Sequence, residues 1–192
     1  RDSAGLRPGA TRSKIAEPPA LSSTSSLSNS CSRSHCSAKT CTRCPLYKNA
    51  TQTVFGEGAA HAKLMLVGEQ PGDQEDITGK PFVGPAGQLL DRALAEAMIE
   101  RKQCYVTNAV KHFKFEMRGK RRLHQRPNAN EIDKCRWWLD REIGLVRPAL
   151  IIALGATAAT SLLGRSVTIS RLRGRPQSFR DQPGWVTVHP SY

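Results

Sequence analysis

The chemistry of this chain concentrates in one short basic run, Gly119-Lys120-Arg121-Arg122-Leu123-His124-Gln125-Arg126-Pro127. The wider segment from Lys111 to Arg126 holds seven Lys or Arg and one acid, Glu116, a local charge of 7 − 1 = +6. Such a segment grips phosphate and gives salt-sensitive binding. Phosphate contact alone needs no histidine. A nucleophilic imidazole must be neutral, and neighbouring cations disfavour its protonated form. His124 is therefore either an incidental residue in a solvated basic loop, the usual meaning of a charge run, or a reactive group delivered to an anion.

Cysteine supplies a second chemistry. Of the six, Cys31 and Cys36 lie in a Ser-rich stretch and read as stray thiols, while Cys41-Thr42-Arg43-Cys44 is a CxxC. Without a secretory leader the pattern reads as metal binding before disulfides. Two soft ligands leave a site incomplete, and Cys135, Cys104, His112 and His35 are available to finish it. Cys104 is flanked by strand residues and reads as a buried small apolar side chain. Cys135 sits beside Trp137 and Trp138, aromatics that would shield a cluster. Spacing alone leaves zinc, a redox pair and iron–sulfur open.

The elements that position these groups follow from periodicity. The apolar runs Ala62–Val67, Cys104–Thr107, Ala149–Leu154 and Trp185–Val188 read as strands. The third is apolar throughout, as a central parallel strand should be. Helical spacing is found over Gly87–Ile99, over Asn130–Val146 with Asn130 as N-cap, and over Ala156–Leu163. Strands alternating with helices predict an α/β fold: a three-layer α/β/α sandwich around a mainly parallel central sheet. Ligands of such sheets bind beyond the carboxyl ends of the strands. Gly68-Glu69-Gln70-Pro71-Gly72, Asn108, Gly155 and His189-Pro190-Ser191 all follow strands, so they should share one rim. There Glu69 can act as base or acceptor, and the position of His189 favours a functional role over a structural one.

The net charge of +13 over 192 residues points to an anionic partner, most simply nucleic acid. No apolar run is long enough to span a bilayer. Residues 1–40 are Ser-rich with few large apolar side chains and read as a disordered basic tail. Residues 41–192 then form one domain, which the ending at Tyr192 suggests is truncated at its C-terminus.

Taken together, CTRCPLY from Cys41, GEQPGDQEDITGKPFVGPAGQLLD from Gly68, YVTNAVK from Tyr105, LIIALGATAATSLLG from Leu150 and HPS from His189 resemble the family 4 branch of the uracil-DNA glycosylase superfamily. The match spans the chain after its tail. Gln70, VKHFKFE from Val110, and the inserted Arg-Arg-Leu-His resemble the UdgX-like members, whose pattern has Ile where this chain has Leu123.

The resemblance implies a 4Fe–4S cluster held by Cys41, Cys44, His112 and Cys135, with a structural role. It implies that Phe82 stacks on a flipped uracil, that Asn108 bonds its Watson–Crick edge, and that Gln70, Gly72 and Asp73 line the pocket. His189 would donate to the uracil O2, His124 would attack C1′, and Glu69 would orient His124. Lys120, Arg121 and Arg122 would hold DNA phosphate. The implied activity is uracil excision ending in a covalent protein–DNA bond, in a single turnover. The alternatives are a multiple-turnover glycosylase using water and a non-catalytic iron–sulfur DNA-binding module. The implied partner is uracil-containing DNA, preferably single-stranded, bound by a monomer in a bacterial cytoplasm near the nucleoid.

Overall fold

The computed structural model describes residues 40–191. Cys31, His35, Cys36 and nearly all of the tail expected over residues 1–40 lie outside the described residues. The elements run β1 (Glu57–Gly58), β2 (Leu64–Gly68), α1 (Asp73–Thr78), α2 (Pro85–Glu96), β3 (Cys104–Asn108), β4 (Phe115–Arg118), β5 (Arg121–His124), α3 (Ala129–Val146), β6 (Leu150–Leu154), α4 (Ala156–Leu163), α5 (Ile169–Leu172), β7 (Gln177–Phe179) and β8 (Gln182–Thr187).

Six strands form the central sheet in the order β1-β3-β2-β6-β8-β7. The four inner strands are parallel, and β1 and β7 add antiparallel edges. Strand β2 alternates its side chains between two cores. Met65 and Val67 pack with Leu139 and Ile143 of α3 and Ala158 and Leu162 of α4. Leu66 packs on the other face with Leu90 and Leu94 of α2. Both faces are thus covered, which is the expected α/β sandwich, and the buried strands read as unbroken apolar runs for that reason.

Local rules set the helix ends. The expected N-cap of the long helix was Asn130; the cap is Asn128. Its side chain accepts from the Glu131 N–H at 2.9 Å, and Glu131 Oε2 accepts from the Asn128 N–H at 2.7 Å. This reciprocal pair is a capping box, and Asn130 lies two residues too far along to make it. Helix α4 follows Gly155, whose φ of 94° is open to glycine at little cost.

The basic segment holds more structure than the loop expected of it. Strands β4 and β5 form an antiparallel hairpin across a two-residue turn, Gly119-Lys120. Gly119 takes φ 61°, the left-handed conformation that short hairpin turns need. No helix among the described residues is long and apolar enough to cross a membrane.

Candidate active site

A cavity of about 770 Å³ opens at the carboxyl ends of the parallel strands. Glu69 and Gln70 reach it from β2, Asn108 from β3, Gly155 from β6, and His189 and Ser191 from the segment after β8. Phe82 enters from the loop before α2, and His124 from the end of β5. The four sequence stretches expected on one rim do converge there. The chain leaves β2 for β3 on one side and later returns to β6 on the other, so the cavity sits where strand order reverses.

Phe82 and Asn108 flank the floor of the cavity at Gly68. A Cβ added at Gly68 would lie 2.4 Å from Asn108 Oδ1 and 2.4 Å from Phe82 Cζ, so only glycine fits. Asn108 is buried, and its Oδ1 has no hydrogen-bond partner. Its backbone is fixed instead: Lys111 Nζ donates to Asn108 O at 2.6 Å. An unmet acceptor beside an aromatic face suits a flat, polar-edged ligand. Phe82 holds φ 54°, a costly conformation for a bulky residue. Glu75 fixes this loop by accepting from the N–H groups of Val83 (3.0 Å) and Gly84 (2.8 Å).

The tautomer of His189 can be read from its neighbours. The Ser191 backbone N–H donates to His189 Nδ1 at 3.2 Å, so the ring proton sits on Nε2. Burial lowers the His189 pKa, opposed by the Glu69 carboxylate and helped by His124. The imidazole is therefore a neutral donor that offers its Nε2–H.

Glu69 stands between two partners. Its Oε2 accepts from the Thr157 hydroxyl, and its Oε1 lies 3.4 Å from His124 Nε2. Thr157 is buried in the first turn of α4 and pins the carboxylate. His124 is half-exposed at the cavity mouth. A carboxylate locked on one side and facing an imidazole on the other orients that ring and offsets positive charge on it.

Two clamps hold the hairpin that carries His124. The Gln70 carboxamide donates to Lys114 O and Gln125 O, each at 3.1 Å, and accepts from the Lys114 N–H at 3.1 Å. It thereby ties both legs of the hairpin at their base. Arg122 meets Asp73 Oδ1 at 2.5 Å and Asp76 Oδ2 at 2.6 Å. Arg122 was expected on phosphate with Lys120 and Arg121, but its guanidinium is engaged within the fold. Lys120 and Arg121 are exposed. Gly72 and Asp73 line the cavity as expected.

The cysteines gather in a separate apolar cluster with Phe55, Val110, Ile132 and Trp138. Cys41, Cys44 and Cys135 are all buried and free of disulfides. Trp138 Nε1–H donates to Cys41 Sγ at 3.1 Å, and the Lys111 N–H to Cys135 Sγ at 3.2 Å. Burial pushes the Cys135 thiol up to about 12, against the pull of Lys111, and raises Cys44 as well. Thiolates in this setting require a compensating cation. His112 lies next in sequence to Lys111. Its Nε2 bonds Thr53 Oγ1 at 2.9 Å, and its buried Nδ1 has no partner. Burial also lowers its pKa, which favours the neutral ring that a metal needs. Among the described residues no three His, Cys, Asp or Glu side chains lie close enough to hold one metal ion. A cluster distributes its ligands over several irons instead, and three buried thiols with a buried, unpartnered His112 Nδ1 are donors of the chemical type it takes. Of the two expected aromatic shields only Trp138 serves; Trp137 is 40% exposed beneath Arg43 and Arg141. Cys104 is buried away from this group, as a small apolar residue.

Sequence reasoning missed Thr157, Glu75 and Asp76. For Glu75 a signal exists: Gly72-x-x-Glu75 is a capping pattern at the start of α1. Thr157 and Asp76 carry no local signature.

Comparison with known proteins adds a separate line. The family described as the uracil DNA glycosylase superfamily matches residues 55–192. A protein of Thermotoga maritima named type-4 uracil-DNA glycosylase is 39% identical over 156 residues, covering 80% of this chain and 78% of that one. One of the same name from Pyrobaculum aerophilum is 40% identical over 125 residues, 65% of this chain and 60% of that one. Another from Sulfurisphaera tokodaii is 35% identical over 157 residues, 79% of this chain and 68% of that one.

Proposed function

Because the chain belongs to the uracil-DNA glycosylase superfamily, we propose that it excises uracil from DNA in the manner of UdgX-like members, ending covalently joined to the abasic site through His124. The observation that carries this reading is His124 Nε2 at 3.4 Å from Glu69 Oε1, at the mouth of the cavity holding Phe82, Asn108 and His189.

The target base leaves the stack and enters the cavity. Phe82 stacks on its face. Asn108 Oδ1 accepts from uracil N3–H, and cytosine, which lacks that proton, is refused. As the bond between N1 and C1′ breaks, its electron pair stays on the base. His189 Nε2–H donates to O2 and stabilises that anion. One ring nitrogen of His124 supplies the lone pair that bonds C1′. The proton on the other ring nitrogen is the one Glu69 accepts as charge develops. A carbon–nitrogen bond to imidazole resists hydrolysis, so the protein turns over once. Gln70 and Arg122 act as positioning residues for the hairpin, while Lys120 and Arg121 face phosphate.

Cys41, Cys44, His112 and Cys135 would hold a 4Fe–4S cluster. When bound, it would supply ligand bonds tying the Cys41–Cys44 segment to α3, outside the bond-breaking step. The glycosylase domain accordingly spans residues 41–192, acts as a monomer and takes single-stranded DNA by preference.

A denaturing gel tests the reading. Uracil-containing single-stranded oligonucleotide should give a heat-stable shifted band with the parent and none with His124→Ala. Abasic product in molar excess over protein would identify a water-using glycosylase instead. Iron and sulfide analysis tests the cluster: His112→Cys should keep iron, and Cys135→Ser should lose it.

A further inference from the structure

A second cleft, of about 550 Å³, adjoins the catalytic cavity, and Arg126 lines both. Arg136 and Arg165 form other parts of its wall. The first turn of α3 contributes Ala129 and Asn130, and the residue after α4 contributes Gly164. Asp133 is the cleft's one acid, and Arg136 already neutralises it at 3.0 Å.

Among the described residues, several arginines are held by carboxylates and others are not. Arg101, Arg122, Arg136 and Arg180 are paired with carboxylates inside the fold. Arg126 and Arg165 are exposed and make neither an ion pair nor a hydrogen bond among the described residues. The segment around Arg165 has no acidic counterweight either: no Asp or Glu occurs between Glu142 and Asp181, whereas Arg165, Arg171, Arg173 and Arg175 do. Unpaired guanidinia on the wall of a cleft are suited to a ligand that brings its own negative charge. Ile169, from the same arginine-rich segment, reaches the catalytic cavity, whose other side carries His124.

We infer that this cleft is a phosphate-binding track for the DNA strand leaving the flipped nucleotide, with Arg126 and Arg165 on successive phosphodiesters. The inference rests on the glycosylase reading and extends it. The cleft begins at Arg126, two residues beyond His124, so it would hold the strand next to the nucleotide that the hairpin faces. Phosphates fixed there would keep the chain from swinging and leave C1′ presented to His124.

Neutral methylphosphonate linkages, placed singly on either side of one excision-resistant 2′-fluoro-2′-deoxyuridine in a single-stranded oligonucleotide, test this by equilibrium binding. The parent should lose affinity about three- to tenfold at one or two linkages on one flank. Arg165→Ala should bind the unmodified strand correspondingly more weakly, show a salt slope shallower by about 0.7, and be insensitive to those linkages. Lys63→Ala, at the opposite end of β2, should behave as the parent. An Arg165→Ala profile identical to the parent's, with Arg126→Ala equally unchanged, would overturn the track and leave the glycosylase reading standing. A parent that fails to bind DNA at all would overturn both.

Discussion

Arg122 and Asp76 meet at 2.6 Å, and the Asp76 side chain is wholly buried. The pair joins the middle of an exposed basic hairpin to the acidic helix α1 beside the cavity. Asp73 adds a second contact at 2.5 Å. The rings of Phe113 and Phe115 lie within 5.5 Å and 5.1 Å of the same guanidinium. One cation of the run is thus an anchor, while its neighbours remain free for an external anion.

Arg122→Ala is expected to cost about 3 kcal/mol, the lower end of what an orphaned buried charge costs, because the Thr51 N–H still donates to Asp76. Adduct formation should fall with it, since the hairpin loses its tether. Arg122→Lys should rescue only in part, because one ammonium cannot fork between two carboxylates. A urea midpoint and adduct yield measured on both variants check this. Parent-like values for Arg122→Ala would remove the anchor role.

Gln70→Ala should spare uracil recognition and slow the covalent step. Its three hydrogen bonds fix the base of the hairpin next to His124. A displacement of about 1 Å at a reacting atom costs on the order of 100-fold, so the single-turnover crosslinking rate should drop by that order. Binding of uracil-containing DNA should change little. Equal losses in binding and crosslinking would mean that Gln70 acts on the base and not on the hairpin.

Lys111 and Glu142 form an ion pair at 2.6 Å with both side chains fully buried. Lys111→Met should destabilise the protein by about 3–5 kcal/mol, because Glu142 is left charged in the interior. Adding Glu142→Gln should recover part of that loss. Lys111 also holds the Asn108 carbonyl, so discrimination between uracil and cytosine should weaken in the double variant even where stability returns. Chemical denaturation and excision assays on both bases separate the two effects.

His189 should make the fold sensitive to acid. Burial lowers its pKa below the ordinary value of 6.5, so the unfolded chain binds this proton first as pH falls. Stability is then full above about pH 6.5 and declines below it, down to the depressed folded value. His189→Gln should flatten that part of the stability profile and slow uracil excision at neutral pH. An unchanged profile would show that another group sets the acid limb.

The parts legible in the sequence share a physical cause. Strands β2 and β6 are buried on both faces and therefore read as unbroken apolar runs, and the site residues follow directly on strand ends. The hairpin is hard to read because its strands are short and largely exposed: Phe115-Glu116-Met117-Arg118 alternates over only four residues, Arg121-Arg122-Leu123-His124 does not alternate, and only Gly119 marks the turn. Edges β1 and β7 are too short to show a period. Arg121 and Arg122 are the same residue type side by side, yet one faces solvent and the other α1; only the strand's alternation and the placement of Asp76 decide that. Thr157 meets Glu69 across 88 residues of chain, a pairing that no local pattern encodes.

Strands β4 and β5 pair with each other and with no strand of the central sheet. His124 therefore rides on a module that the scaffold's hydrogen-bond ladder does not need. Grafting the hairpin onto another scaffold of this fold would transfer the proposed nucleophile without its aim unless Gln70, Asp73 and Asp76 travelled with it. Conversely, excising residues 115–124 and closing the gap should leave a folded scaffold with an open, water-filled mouth. Portability of this kind makes the hairpin, with its three receptors, a separable unit by which a histidine can be added to or removed from the mouth of the cavity.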